Sequence, residues 1–199
     1  MSKVLVFLAE LGLLLVFSSF VQAAPVRRVV INEVAWAGTK ANPFDEWIEL
    51  KNNTDQEISL DGWKLVSESG TINILLSGKI PPGGFYLLER TDDNTVSDIS
   101  CDLIYRGALI NSGDTLKLID PAGNIEDTAN KKGGAWPAGT ASPTYASMER
   151  IDPSGEDVPS NWKDNNGKKV CGKDSEGNPI RGTPGKENSV SCIHFPPYQ

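Results

Sequence analysis

Histidine is nearly absent from the chain, and this absence excludes several kinds of catalytic site. Among 199 residues there is one histidine, His194, close to the C-terminus in the segment HFPPYQ. A serine or cysteine nucleophile that needs a histidine base would have to use this residue, and terminal segments are poorly suited to hold a catalytic group. One histidine and three scattered cysteines also provide no closely spaced pair of zinc ligands. Nucleophilic and zinc-dependent catalysis are therefore disfavoured.

The chain also has few positive charges relative to its negative ones. Lysine and arginine number 19 against 26 aspartates and glutamates, which gives a net charge of −7. The basic pairs Lys131-Lys132 and Lys168-Lys169 are typical of solvated loops. An acidic chain repels the phosphate backbone of nucleic acids, and no glycine-rich loop of the nucleotide-binding type is present. Duplex nucleic acid is therefore disfavoured as a partner.

The only pronounced hydrophobic run lies at the N-terminus. Lys3 precedes an apolar stretch at residues 11–17, and Val21-Gln22-Ala23 has the small residues of a cleavage site. This stretch is shorter than the roughly 20 residues that span a bilayer, which disfavours an uncleaved anchor. We expect a signal peptide at 1–23, a linker at 24–28, a domain at 29–189 and a tail at 190–199. The mature protein is then exported to the extracellular space, the cell surface or the periplasm, with no membrane span.

Three cysteines in an exported chain are typical of one disulfide and one leftover thiol. Three pairings are open. Cys171 and Cys192 flank a segment rich in Gly and Pro that has little capacity to bury itself. Closing a loop of about 20 residues would stabilise the fold by roughly 3 kcal/mol. We therefore favour a Cys171–Cys192 disulfide and leave Cys101 free.

Strand patterns recur along the chain, whereas helix patterns are nearly absent. Short segments rich in Val, Ile, Leu, Trp and Tyr alternate with turns of Gly, Pro, Asn and Asp. The predicted strands are 29–36, 46–51, 63–67, 72–76, 85–90, 103–105, 115–120 and 145–150. This number of short strands predicts an all-β fold, an antiparallel β-sandwich. From about Lys131 onward the chain is rich in loops, and 145–150 is the one strand expected there.

Two local patterns make the strand assignment more specific. In 85–90, FYLLER, apolar residues fall on both faces, which is typical of a central strand. The turn Asp120-Pro121-Ala122-Gly123-Asn124 places Pro where φ is fixed and Gly where φ must be positive. We expect this turn to reverse the chain between two antiparallel strands.

With the strands placed, several motifs follow one another in a characteristic order. They are Ile31-Asn32-Glu33-Val34, Asp45-Glu46-Trp47-Ile48-Glu49-Leu50, Asn52-Asn53-Thr54, Leu60-Asp61-Gly62-Trp63-Lys64-Leu65, Ile80-Pro81-Pro82-Gly83, Asn161-Trp162 and Gly182-Thr183-Pro184-Gly185. In this order they resemble the lamin tail domain family, in its exported bacterial type. The resemblance covers roughly residues 29–189.

The resemblance implies an immunoglobulin-like sandwich with a binding or adhesion role and no catalytic residues. On that basis we expect a non-enzymatic module that interacts with a protein or a cell-surface component. Two alternatives remain: a polysaccharide- or calcium-binding module on the same fold, and a hydrolase that uses paired carboxylates. No cofactor is expected, unless calcium binds.

Glu33, Glu46 and Glu49 are the candidates that could carry chemistry. On adjacent strands they could form a carboxylate pair of the glycosidase type, or ligate a hard cation through oxygen. The alternative is that they bond backbone amides at strand ends or face water. We favour the structural role.

Two further groups resemble calcium loops only in composition. The first is Asp92-Asp93-Asn94, with Asp98 and Asp102 beyond it, and the second is Asp164-Asn165-Asn166-Gly167. Neither has EF-hand spacing, and Asx-rich turns are usual in β proteins because the side chain bonds its own backbone.

The tryptophans are the candidates for a surface anchor, because exposed aromatic side chains bind sugars and proteins. Trp63 alternates with Leu65 and is expected in the core. Trp47 is out of phase with Ile48 and Leu50, so it is either partly exposed or covered by the C-terminal loops. Trp136 lies between small residues and Pro137. We expect Trp136 and Trp47 to be the surface anchors.

Overall fold

The computed structural model of the chain describes residues 27–191. The predicted signal peptide at 1–23 lies outside the described residues, as does Cys192 of the predicted Cys171–Cys192 disulfide. Within the described range, Cys101 and Cys171 form no disulfide. The elements are β1 Val29–Ala35, β2 Trp47–Asn52, β3 Ile58–Ser59, β4 Lys64–Ser67, β5 Asn73–Leu75, β6 Lys79–Ile80, β7 Phe85–Arg90, β8 Leu103–Tyr105, β9 Leu116–Ile119, β10 Ile125–Ala129, β11 Met148–Arg150 and β12 Trp162–Asp164, with a 3₁₀ turn at Pro159–Asn161.

Two main sheets form a sandwich. The larger sheet has the order β12-β11-β1-β2-β7-β8, and the smaller has the order β10-β9-β4-β5; β3 and β6 pair separately. All pairs are antiparallel except β7 with β8. Side chains from both sheets, such as Ile48 and Leu88 on one and Leu65 and Leu118 on the other, share one core. The predicted all-β, immunoglobulin-like antiparallel sandwich is confirmed.

Several local predictions are confirmed in detail. FYLLER is β7, which lies between β2 and β8 and is buried along its centre. The turn at Asp120 joins the antiparallel strands β9 and β10, and Gly123 adopts φ 88° there. Trp63 lies in the core, with 3% of its surface exposed.

The prediction of a single strand after Lys131 is wrong. β12 pairs with β11 at the edge of the large sheet, through the register Arg150 with Trp162. This strand has only three residues, and two of them are exposed and charged. The segment is therefore too short and too polar to show the alternation of apolar residues that predicts a strand. The predicted strand 145–150 starts only at Met148, because Tyr145 has φ 51° and breaks the extended conformation.

Both faces of the large sheet are covered, and every residue of β1 and β2 is buried. The inner face packs on the core. On the outer face, Ala35, Trp47 and Leu87 contact Val96 from the 91–101 loop and Ile180 from the C-terminal region. We call residues 165–191 the C-terminal strap. Because the strap and the 91–101 loop lie on the outer face, polar side chains of β1 and β2 are enclosed.

A buried ion pair connects the two sheets. Arg150 of β11 donates from both terminal nitrogens to Asp127 of β10, at 2.8 and 3.2 Å. The Arg150 guanidinium also lies 4.8 Å from the centre of the Trp162 ring. Asp127 accepts a further hydrogen bond from the Ile31 amide of β1, at 2.8 Å. Burial raises the pKa of Asp127 to about 6, although Arg150 opposes this shift.

Replacing Arg150 should destabilise the fold strongly. Arg150→Met removes the bidentate cation from the buried Asp127 carboxylate and leaves only a longer contact to Arg27, at 3.4 Å. Breaking a buried pair in this way typically costs about 3–5 kcal/mol. Adding Asp127→Asn should recover part of that loss, since the neutral amide still offers an oxygen to the Ile31 amide. Urea denaturation measures the free energy of unfolding of the single and the double variant. Lys79→Met is the control, because Lys79 forms an exposed ion pair with Glu57. A loss for Arg150→Met no larger than for Lys79→Met would contradict this role.

Candidate functional site

Three glutamates lie side by side on the outer face of the large sheet. In the strand register, Glu33 of β1 pairs with Glu49 of β2 on one side and with Glu149 of β11 on the other. All three are fully buried. We call them the carboxylate row. The prediction that Glu33 and Glu49 bond backbone amides is confirmed, since they accept the amides of Thr183 and Gly185. The predicted location at strand ends or facing water is wrong, because both lie within strands beneath the strap.

A bulge in β1 explains why Glu33 faces outward. Ile31 pairs with Leu50 while Glu33 pairs with Glu49, so Asn32 is an extra residue on this strand. A bulge reverses the alternation of side chains beyond it. Ile31 therefore enters the core, whereas Glu33, two residues later, points to the opposite face.

The strap lies directly on the carboxylate row. The Thr183 amide donates to Glu33 at 2.9 Å, the Gly185 amide donates to Glu49, and the Val190 amide donates to Glu149 at 3.2 Å. At Gly182 an added Cβ would be 2.6 Å from the Trp47 ring and 2.9 Å from Glu33. Only glycine allows the strap to approach the sheet this closely.

Side chains complete the hydrogen bonding of the row. Ser147 donates to Glu33 and Asn32 donates to Glu49. Asn165 and Ser189 donate to Glu149 at 2.7 and 2.6 Å, and the Thr183 hydroxyl contacts Glu33 and Glu149. Each of the six carboxylate oxygens thus has a hydrogen-bond partner. Because the protein's own donors contact every oxygen, the geometry of the row fits a structural role.

Burial raises the pKa of two carboxyl groups in the row, those of Glu33 and Glu49. It raises the pKa of Glu33 to about 8, and the adjacent Glu149 contributes to the same shift. Burial also raises the pKa of Glu49 well above its ordinary value, with Glu33 as the second cause. A pKa of about 8 favours the protonated form of Glu33 at neutral pH.

Glu46 is separate from the row and lies at one end of the sandwich. Its carboxylate forms an ion pair with Arg90 at 2.9 Å and accepts the Leu109 amide at 2.7 Å. Burial raises its pKa to about 7, although both partners oppose the shift. Both oxygens bond to the protein's own groups, so Glu46 also has a structural role.

The next candidates are Asp92 and Asp93, which the sequence suggested as possible metal ligands. Asp93 groups with Glu89 and Cys101, with one candidate ligand atom from each within 4.8 Å of the others. Both oxygens of Glu89 accept backbone amides, from Thr95 and Val96. Burial, and then Asp93, raises the pKa of the Cys101 thiol to about 12, which disfavours the thiolate that binds metals. Asp92 does not belong to this group. The expectation of no cofactor, with calcium as the alternative, stays a prediction.

The second predicted calcium-like group, residues 164–167, forms hydrogen bonds within the fold. Asp164 accepts the Gly139 amide at 2.7 Å. Asn165 is buried and donates to Glu149, as described above.

Calcium should leave the thermal stability unchanged. A ligand that binds only the folded state raises the melting temperature, and a thiol with two carboxylates is a poor set of ligands for calcium. We expect equal melting temperatures in millimolar Ca²⁺ and in chelator, measured by calorimetry. A rise in Ca²⁺ that Asp93→Asn removes would show a site at this group, and Asp61→Asn, at an exposed turn, is the matched control.

The predicted surface anchors are wrong, because both tryptophans are buried. Trp47 has no exposed surface and lies under Gly182 of the strap, so the alternative that C-terminal loops cover it is confirmed. Trp136 is 8% exposed, packs in the main core and donates its indole N–H to the Ile110 carbonyl at 2.9 Å. Neither ring is available to a partner.

Among residues 27–191, the exposed aromatic side chain is Phe44, which the sequence patterns did not single out. It is 67% exposed, and its ring lies 5.7 Å from the Arg90 guanidinium. We call residues 38–45 the Phe44 loop. The sequence does contain one indication of this exposure. Asn42-Pro43 is typical of a turn, and a turn places the side chain that follows it, here Phe44, at the surface.

The Phe44 loop is held by a dense set of short-range hydrogen bonds. The Thr39 and Asp45 amides both donate to the Asn42 carbonyl, at 3.0 and 3.1 Å. The Asn42 side chain accepts the Phe44 amide at 3.0 Å and donates to Asp45 at 2.7 Å. Gly38 has φ 77°, and a Cβ there would meet the Pro43 backbone at 2.5 Å. The loop conformation is therefore fixed before any partner binds.

The strap also contacts this loop. Asp174 accepts the Ala41 amide at 3.0 Å, and it is buried by its own turn, in which it accepts the amides of Glu176 and Asn178. The position of the Phe44 loop thus depends in part on the strap.

Comparison with known proteins agrees with this architecture. No curated protein matches the chain in sequence. Within residues 27–191, no helix is long and apolar enough to cross a membrane. The family model of the lamin tail domain matches residues 22–133, which include β1 to β10 but neither β11, β12 nor the strap. This match covers more than half of the sequence, and the chain belongs to the lamin tail domain family.

Proposed function

We propose that the chain is an exported, non-catalytic immunoglobulin-like module that binds a protein or cell-surface component through the Phe44 loop. The observation that carries this proposal is the exposure of a large aromatic side chain on a loop fixed by its own hydrogen bonds. Aromatic anchors dominate the energy of many interfaces, and a preformed loop loses little entropy on binding.

The family supports the non-catalytic part of the proposal. The lamin tail domain is generally non-enzymatic and is a protein-interaction type of domain. The buried glutamates fit this property, since their oxygens are occupied by the protein's own donors.

The surroundings of Phe44 indicate the chemistry of the partner. Asp45 and Asp92 lie near each other, because Asp92 is the second cause, after burial, of the raised pKa of Asp45. Of the two cations in this region, Arg90 is paired with Glu46, and the exposed Lys40 lies four residues before Phe44 in the loop. An apolar anchor with an acidic border fits a partner pocket that is apolar and flanked by lysine or arginine.

Export is supported by the N-terminal sequence alone. Lys3, the apolar stretch at 11–17 and the small residues before Ala24 have the pattern of a signal peptide. Mass spectrometry of the protein recovered outside the cytoplasm would give the mature N-terminus.

Removing the Phe44 ring should weaken binding without destabilising the fold. Phe44→Ala should reduce the affinity for envelope fractions of the source organism at least about tenfold, which is about 1.4 kcal/mol. Saturable binding isotherms measure this, and the melting temperature should stay unchanged because the ring is exposed.

Leu75→Ala is the matched control, since Leu75 is 65% exposed on β5. Equal binding by the wild type and Phe44→Ala would contradict the assigned surface. Treating the fractions with protease separates the alternatives: binding that survives protease but not glycan hydrolysis would favour a polysaccharide ligand.

A further inference from the structure

The Thr183 hydroxyl lies between two buried carboxyl groups. Its oxygen is 2.9 Å from Glu33 Oε2 and 2.9 Å from Glu149 Oε1. A hydroxyl group carries one proton and can donate one hydrogen bond. Two ionised carboxylates cannot both be satisfied by this proton, so one of the two contacts needs a proton from a carboxyl group.

The hydrogen-bond donors around each oxygen identify which group holds that proton. Both oxygens of Glu149 have other donors, namely Asn165 on Oε1 and Ser189 with the Val190 amide on Oε2. Oε1 of Glu33 accepts from Ser147 and the Thr183 amide. Oε2 of Glu33 faces only the Thr183 hydroxyl. A proton on Glu33 Oε2 gives a consistent chain, from Glu33 to Thr183 to Glu149.

We propose that this proton is a latch: protonated Glu33 holds the C-terminal strap on the sheet, and the strap opens more readily as rising pH removes the proton. The released proton goes to solvent and leaves a carboxylate on Glu33. That carboxylate would face the Thr183 oxygen, whose proton is used by Glu149, so the contact between strap and sheet becomes repulsive.

The charged groups around Glu33 do not compensate such a charge. On the two strands beside β1 the charged groups are Glu49 and Lys51 of β2 and Glu149 of β11, and Lys163 lies one strand further away on β12. On the strap they are Arg181, Lys186 and Glu187. Lys51 pairs with Glu187. Within residues 27–191, none of these cations forms an ion pair with Glu33. Its raised pKa of about 8, caused by burial and then by Glu149, agrees with a proton held at neutral pH.

Release of the strap would have consequences beyond the row. Ile180 would leave Trp47 and Leu87, which together form the outer apolar cluster. Asp174 would leave the Ala41 amide, and the Phe44 loop would lose one of its restraints. The latch thus connects proton concentration to the exposure of the outer face.

Hydrogen exchange of the full chain tests the latch. The measured quantity is the opening equilibrium of strap peptides between about pH 5 and pH 9, after division by the intrinsic exchange rate. A carboxyl group whose pKa is raised in the closed form destabilises that form as pH rises, and the change ends above the closed-form pKa. The opening constant should therefore rise up to about tenfold per pH unit and level off above about pH 8. Peptides from β7 should show no such rise.

Two isosteric variants separate the roles of the two glutamates. Glu33→Gln places an amide N–H where the proton of Glu33 lies, so the strap should stay closed at alkaline pH and lose its pH dependence. Glu149→Gln places N–H groups against donors that need an acceptor, so it should open the strap at every pH. Glu57→Gln, at an exposed side chain, is the control and should behave as the wild type.

An opening constant of the wild type that does not change with pH would overturn the latch. Retention of the wild-type slope in Glu33→Gln would also overturn it, because the titrating group would then be another one. If Glu33→Gln fails to fold, the carboxyl ¹³C shift of Glu33 in the wild type decides the matter. Titration near its ordinary range, about pH 4, would refute the proposal, and titration above neutral pH would support it.

Discussion

The enclosure of three adjacent carboxyl groups is the constraint on which much of this structure depends. Glu33, Glu49 and Glu149 are neighbours on one sheet face, and burying such groups is costly unless donors surround them. The donors come from Asn32, from Ser147 and from the strap, which includes Asn165 and Thr183. The strap is therefore not an appendage of the sandwich, because without it the three glutamates would lose the amide donors of Thr183, Gly185 and Val190.

This constraint extends the folding unit beyond the part of the chain that defines the family. The lamin tail domain model ends at residue 133, before β11 and the strap. Yet Arg150 neutralises Asp127 of β10, and Asp127 in turn accepts the Ile31 amide beside the bulge in β1. Both faces of the large sheet thus need residues from the last third of the described chain. We infer that 134–191 folds together with the matched region.

Sequence patterns predicted the parts of the fold that are determined by residues close together in the chain. FYLLER and the turn at Asp120 follow from side-chain alternation and turn chemistry, and both are confirmed. The environment of Glu33 could not be predicted in this way, since it depends on a bulge at Asn32 and on Thr183, which is 150 residues away. Trp47 illustrates the same limit: its phase opposite to Ile48 indicated an outer face, but only the strap shows that this face is buried.

The two sites of this protein are joined by one segment. Thr183 contacts the carboxylate row, and Asp174, nine residues earlier in the strap, holds Ala41 of the Phe44 loop. The carboxylate row resembles a catalytic pair in sequence, but each of its oxygens accepts or shares a hydrogen bond within the protein. These hydrogen bonds hold the strap on the sheet. The Phe44 loop has no distinctive sequence motif, but its aromatic side chain is exposed. Since the strap contacts both, the protonation state of buried carboxyl groups and the restraint on an exposed binding loop are physically coupled.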